Sequence, residues 1–230
     1  MAKHTFFITG TDTDAGKTLC SVALLHKAAA MGKSTLGLKP VASGCEETTE
    51  GLRNADALAL MAASTVKYPY DMINPITFAE PIAPHIAARK EARSLNADRV
   101  SGFVRGTLMV SKAEFNLVEG AGGWRVPLYL GQTYSEVAKQ LKLPVILVVG
   151  VKLGCINHAL LTVEAILRDG VKLAGFIACQ VDQNVAECDA IVDTLQRMIA
   201  APCLGVVPWL DNPDGTEAAN FLDLSALELG

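Results

Sequence analysis

A chain of 230 residues, half of them apolar, carries enough hydrophobic side chain to bury one large α/β core. Its formal net charge is −4 with no block of like charge, which argues against a nucleic-acid footprint or a polybasic membrane patch. No apolar run reaches the ~20 residues that span a bilayer.

The first strand is expected at 5–9. It runs directly into GTDTDAGKT at 10–18 and then a helical pattern at 17–30, with Gly32 just past its end. A strand follows at 35–38 and a helix at 54–62. The proline-bearing stretch NPITFAEPIAPH, 74–85, reads as an ordered excursion over the sheet edge. A helix is expected at 97–109, a strand at 115–118 and a helix at 134–140. LPVILVVGV holds the most apolar strand, 145–149, followed by a helix at 156–168 that Gly170 terminates. Then come strand 173–178, helix 187–199, Pro202 and strand 204–207. Most of these strands lack polar alternation, the pattern of parallel strands covered on both faces. The alternation of strand and helix predicts a doubly wound, mostly parallel sheet with helices on both faces, P-loop NTPase-like, in one domain over 1–230.

Met1-Ala2-Lys3-His4 leads straight into the first strand with no apolar signal region, so a cytoplasmic protein is expected. Cys20, Cys45, Cys155, Cys179, Cys188 and Cys203 make no C-x-x-C pair. Free thiols are expected, and no structural zinc site. His4, His26, His85 and His158 form no ligand pattern, and Cys45 has no adjacent base that would make it a nucleophile.

The chemistry begins at Gly10. GTDTDAGKT fits G-x-x-x-x-G-K-[ST] with a strand before it and a helix after. In such a loop the backbone N–H groups and the helix N-terminus cradle phosphate oxygens. Lys17 then reaches the β- and γ-phosphates and the Thr18 hydroxyl ligates Mg²⁺, so a nucleoside triphosphate is the expected ligand. Ligands of open α/β sheets bind beyond the carboxyl ends of the strands, where three further charged residues fall. Glu119 ends an apolar run, stands where a Walker-B acid stands, and is followed by glycines that let a ligand approach the backbone. Lys39 ends the second strand, and spacing alone equally fits a solvated strand-end lysine. Asp56 opens a helix, and by itself reads as an acid placed against the helix dipole.

GTDTDAGKT, GLKPVASG, GLRNADALAL, FAEPIAPH, LVEGAGGW and LPVILVVGVKLGCINHALLT occur in order over nearly the whole chain. Together they resemble the dethiobiotin synthetases. The resemblance implies that 7,8-diaminopelargonic acid takes up CO₂ as a carbamate, that ATP phosphorylates the carbamate, and that the second amine closes a cyclic urea. It implies Lys17 and Lys39 as catalytic cations and Thr18, Asp56 and Glu119 as Mg²⁺ ligands. Asp14, Ala15, Gly16, Lys17, Thr18 and Leu19 would hold the nucleotide's phosphates, with Asp56, Glu119, Gly120, Ala121 and Gly122 beside them. Thr13 and Ser43 match positions near the diamine and carbamate. Gly154, Cys155, Ile156 and Asn157 would hold the substrate carboxylate across a homodimer interface.

Two departures from that family stand out. Asp14 replaces the usual glutamate of the loop. Cys179, followed by Gln180, replaces an asparagine that reads adenine. Cysteine is a poor hydrogen-bonding group, so a relaxed choice of nucleotide is expected. Pro208, Trp209 and Leu210 match a loop under the base, and simple packing explains Trp209 equally well. Rival readings lack their marks. A switch ATPase would carry a second lysine within Thr11-Asp12-Thr13, a GTPase would carry N-K-x-D, and a glutaminase-coupled synthetase would need a longer chain.

Overall fold

The computed structural model describes residues 3–129 and 131–229. Six parallel strands form the central sheet: β1 (His4–Gly10), β2 (Thr35–Leu38), β3 (Phe115–Gly123), β4 (Val145–Val151), β5 (Leu173–Gln180) and β6 (Cys203–Val207). Their spatial order is β6-β5-β4-β1-β3-β2. The order reverses at β1, which pairs with β4 on one side (Phe7 against Val145) and β3 on the other (Phe7 against Val118). That reversal opens a crevice beyond the carboxyl ends of β1 and β3, the usual ligand position in such sheets.

Helices α1 (Lys17–Ala30), α2 (Ala55–Ala63), α3 (Ala97–Val110), α4 (Ser135–Leu141), α5 (Cys155–Arg168) and α6 (Cys188–Met198) cover the sheet. Side chains alternate across it, so β1 sends Phe6 and Ile8 one way and Phe7 the other. Phe6 and Ile8 pack with Cys20, Leu24 and Leu25 of α1 and Leu60 of α2. Phe7 packs with Val100 and Val104 of α3 and Val137 of α4. Beneath α5 and α6, Leu147, Val149, Phe176, Ala159 and Leu195 continue that second layer. The doubly wound architecture and its helices on both faces are therefore as expected.

The stretch 74–85 is ordered. Ile76–Thr77 pairs in parallel with Val41–Ala42, and a helix at Pro84–Lys90 closes it. One strand is longer than its apolar run: β3 continues from Val118 through Gly123, which still pairs with Gly10.

Candidate active site

α1 starts with Gly16 as its N-cap, with no side chain capping it and no acid in its first turn. The first N–H groups of the helix are thus left for an external anion. Gly16 has φ 85°, and a Cβ there would lie 2.5 Å from Cys179 Sγ, so the position requires glycine twice over. The loop is braced on both flanks. Thr11 donates its N–H to the Val148 carbonyl at 3.0 Å and its Oγ1 accepts from Gly150 N–H at 3.2 Å. Lys152 ion-pairs with Asp12 at 3.2 Å. Asp14 adopts φ 57°, a conformation that short acids tolerate.

β2, β3 and α2 add the charged centre. Lys39 Nζ lies 2.6 Å from Glu119 Oε1 and 2.8 Å from Asp56 Oδ2. The Thr18 hydroxyl donates to the same Glu119 oxygen at 2.9 Å. Asn54 caps α2, its Oδ1 accepting from Ala57 N–H at 3.2 Å, and so fixes Asp56 in the first turn. Glu119 is fully buried, and Lys39 is 5% exposed. Burial disfavours the Lys39 ammonium, but Glu119 and Asp56 outweigh it and hold its pKa above the ordinary lysine value. For Asp56, too, burial acts against the charge, yet Lys39 and Thr18 leave its carboxyl below the usual range. Lys17 goes the other way. Burial lowers its pKa, with Glu119 compensating only in part, and its Nζ donates to the Asp12 carbonyl at 2.9 Å.

Two buried atoms here have no hydrogen-bond partner, Glu119 Oε2 and Ser43 Oγ. Such orphans are costly and mark places where a ligand completes the site. Glu119, Asp56 and Thr18 together offer hard oxygens, the donor chemistry that Mg²⁺ takes. Among the described residues no group of three or more His, Cys, Asp or Glu side chains stands ready to hold a metal by itself. A cation here thus depends on the Thr18 hydroxyl and on phosphate oxygens to complete its shell.

A cavity of about 820 Å³ opens over these groups. Thr13, Asp14, Gly16, Lys17, Thr18, Leu19, Lys39, Ser43, Asp56, Ala121 and Gly122 all line it, so residues distant in sequence converge there. Ala15 is buried beneath the loop, and Glu119 sits behind Lys39, with Gly120 O 3.4 Å from Lys39 Nζ. The outer wall, Pro81 to Pro84 with Val126 and Pro213, escaped the sequence reading. The clustered prolines of 74–85 were its only local sign. The wall after β3 is tied down from outside. Asp169 accepts from Trp124 Nε1 at 2.8 Å and from both terminal nitrogens of Arg125 at 2.7 and 2.9 Å.

The remaining expected residues are not among those that line this cavity. The Cys179 thiol is buried against Gly16 and faces the Cys20 thiol within hydrogen-bonding range. Gln180 Oε1 accepts from Trp209 N–H at 3.3 Å and so ties the end of β5 to the Pro208–Leu210 loop. Gly154 caps α5 at φ 91° with no side-chain cap, Cys155 is buried, and Asn157 faces solvent. Leu153, next to them, is 94% exposed.

A family model described as an AAA domain matches residues 4–216. Among solved structures, the signal recognition particle receptor FtsY from Elizabethkingia anophelis superposes on 96% of this chain with a TM-score of 0.54. Identity there is 14% and the match spans 65% of that chain, so the likeness is one of fold. Curated relatives are far more similar. The protein named ATP-dependent dethiobiotin synthetase BioD in Cellvibrio japonicus is 55% identical over 227 residues, covering 99% of each chain. Its namesake in Marinobacter nauticus is 54% identical over 96% of this chain and 95% of its own. That of Pseudomonas aeruginosa is 51% identical over 98% of both. Identity at this level along the full length places the chain in the ATP-dependent dethiobiotin synthetase family.

Proposed function

We propose that this enzyme closes the cyclic urea of dethiobiotin in the 820 Å³ cavity, converting 7,8-diaminopelargonic acid, CO₂ and ATP to dethiobiotin, ADP and phosphate. The observation that carries the assignment of roles is the buried Lys39 ammonium between Glu119 and Asp56, one residue cluster away from a phosphate-binding loop.

The chemistry follows from charge. One amine of the diamine attacks CO₂ and loses a proton, giving a carbamate. A carbamate oxygen attacks the γ-phosphorus, and the bond from that phosphorus to the β-bridging oxygen breaks, releasing ADP. The second amine attacks the carbamate carbon, and phosphate leaves with the oxygen that bound it. The nucleophile in the second step is already an anion, so the site needs little general base. It must instead bring two anions together. Lys39 is placed to do so between the P-loop and Ser43, whose buried, unpartnered hydroxyl is free to bond the carbamate. Lys17 must turn from the Asp12 carbonyl toward the phosphates as the nucleotide enters. Thr18, Asp56 and Glu119 would hold Mg²⁺, which when bound neutralises phosphate oxygens. Lys39 occupies Asp56 Oδ2 and Glu119 Oε1, so the unpartnered Glu119 Oε2 is the carboxylate oxygen left for that cation.

Asp14 to Leu19 and Gly120 to Gly122 would take the phosphate end of the nucleotide. Pro208, Trp209 and Leu210, held by Gln180, would flank the base. The substrate's own carboxylate lies at the far end of an alkyl chain. The exposed start of α5, Gly154 to Asn157, suits it through free N–H groups, and in a homodimer it serves the partner's cavity. The apolar exposure of Leu153, Leu161 and Leu167 on and before α5 supports that interface. A cytoplasmic location completes the proposal and is consistent with six unpaired thiols.

The test is an assay with diaminopelargonate, bicarbonate and Mg²⁺ with each of ATP, CTP and GTP. Dethiobiotin and phosphate in equal amounts with ATP are expected, and phosphate release without dethiobiotin would overturn the reading. Sedimentation should show a particle near twice 24.3 kDa; a fully active monomer would remove the shared site.

A further inference from the structure

Strand β2 leaves the sheet at Leu38, because Pro40 has no N–H to offer a ladder. Lys39 therefore sits just beyond the last residue whose backbone the sheet holds. Its own backbone is held by something else. Its N–H donates to the Ile73 carbonyl at 2.9 Å, and its carbonyl accepts from Asn74 Nδ2. Asn74 is in turn fixed by Tyr70, whose hydroxyl donates to Asn74 Oδ1 at 2.8 Å. The same hydroxyl accepts from Asn54 N–H at 2.7 Å, and Asn54 is the cap of α2, the helix that presents Asp56. The chain has one direction throughout: amide to hydroxyl, hydroxyl to amide oxygen, amide nitrogen to carbonyl. The Tyr70 hydroxyl both accepts and donates, and all four residues are buried, none more than 8% exposed. Arg53 stacks 4.2 Å over the Tyr70 ring and keeps the ring in place.

We infer that Tyr70, Asn54 and Asn74 are positioning residues for the reaction, locking the backbone of Lys39 to the helix that carries Asp56. The inference rests on the proposed roles of Lys39 and Asp56. Phosphoryl transfer tolerates little error in placement, and shifts of about 1 Å cost up to roughly 10² in rate. A lysine on a free strand end would wander by that much. The Tyr70–Asn74 segment takes the place of the sheet partner that Lys39 lacks. It also sets the distance between the ammonium and the Asp56 carboxylate at the level of the backbone, where side-chain rotation alone cannot.

Tyr70→Phe tests this. It keeps the ring and the Arg53 stack and deletes only the hydroxyl, removing its bonds to Asn74 Oδ1 and to Asn54 N–H. With full-length enzyme, turnover should fall on the order of 10-fold while KM for ATP stays within about 2-fold, since the P-loop is untouched. The Mg²⁺ concentration for half-maximal activity should rise several-fold, a change that a loss of stability alone does not produce. Wild-type turnover and Mg²⁺ midpoint, with only a lower Tm, would overturn the inference and leave the network purely structural. Should Tyr70→Phe fail to fold, Asn74→Ser breaks the final link to Lys39 and is read by the same criteria. Absence of dethiobiotin from the wild type would instead defeat the proposed reaction, so the two failures are separable.

Discussion

Lys39→Ala removes the cation that touches both the buried Glu119 and the half-exposed Asp56. In the wild type Glu119 Oε1 receives Lys39 at 2.6 Å and Thr18 at 2.9 Å, and Oε2 receives nothing. After substitution a fully buried carboxylate keeps a single neutral donor. Breaking a buried pair from one side costs about 3–5 kcal/mol, a large part of the ~5–15 kcal/mol that holds a domain together. At roughly 2–4 °C per kcal/mol for a chain of this size, Tm should fall by about 6–20 °C. Turnover should fall by about 10²–10³ as the preorganised charge is lost. Lys39→Ala with Glu119→Gln should recover most of the stability and none of the turnover. The acid limb should change as well. The depressed Asp56 pKa stabilises the fold above the ordinary carboxylate range and is lost as pH falls through it, so the variant should show a shallower loss toward low pH. Calorimetry with and without Mg²⁺, followed by steady-state kinetics, measures all of this. A Tm within 2 °C and activity within a few-fold, each roughly as in the wild type, would show that Lys39 is a bystander in both the fold and the reaction.

Gly16→Ala puts a methyl 2.5 Å from Cys179 Sγ at a positive φ, so nucleotide binding should be abolished while the sheet still folds; retained ATP affinity by titration calorimetry would contradict the loop geometry. The Cys179 thiol is turned toward Cys20 and under Gly16, leaving little for a base, so the wild type should use CTP and ATP with only several-fold preference, roughly one neutral hydrogen bond's worth. Cys179→Asn should sharpen that preference, and strict rejection of CTP by the wild type would show that backbone reads the base. Burial alone would raise the Asp169 carboxyl, but Arg125 and Trp124 hold it below its usual range. Asp169→Asn should therefore cost up to about 1 kcal/mol at neutral pH, kept small by the half-exposed Arg125. That difference should fade as pH drops through the depressed pKa, and an equal deficit at pH 3 and pH 7 in denaturant melts would exclude the ion pair as its cause.

The six strands of the central sheet and helices α1 to α6 were legible because each is an apolar run ended by Gly, Pro or a polar turn, and tertiary pairing merely adjusted their ends. β3 outran its expected end at Val118 because glycines carry no strand signal. The partners across the sheet, Ile8 for Glu119 and Gly10 for Gly123, reveal that this stretch is extended. Lys17, Thr18 and Glu119 announce themselves by motif. Lys39 and Asp56 do not by spacing alone, since a strand-end lysine and a helix-start acid are common; only the family resemblance singled them out, and the fold then sets them 2.8 Å apart. The Tyr70 network was invisible for a related reason. Its bonds join segments 16 and 35 residues apart, and no periodicity records such links. The Cys179 position was identifiable from its strand, but the direction of its thiol depends on Gly16 and Cys20, which approach it from another element.

In the proposed reaction the decisive step is attack of a carbamate oxygen, held beside Lys39, on the γ-phosphorus of ATP. A single turnover with ¹⁸O-labelled CO₂, quenched before the label exchanges with water, tests it directly. One ¹⁸O is expected in the released phosphate and one in the urea carbonyl of dethiobiotin. Phosphate free of label, formed alongside dethiobiotin, would mean that water attacks the phosphorus, and the carbamate route through this site would be wrong.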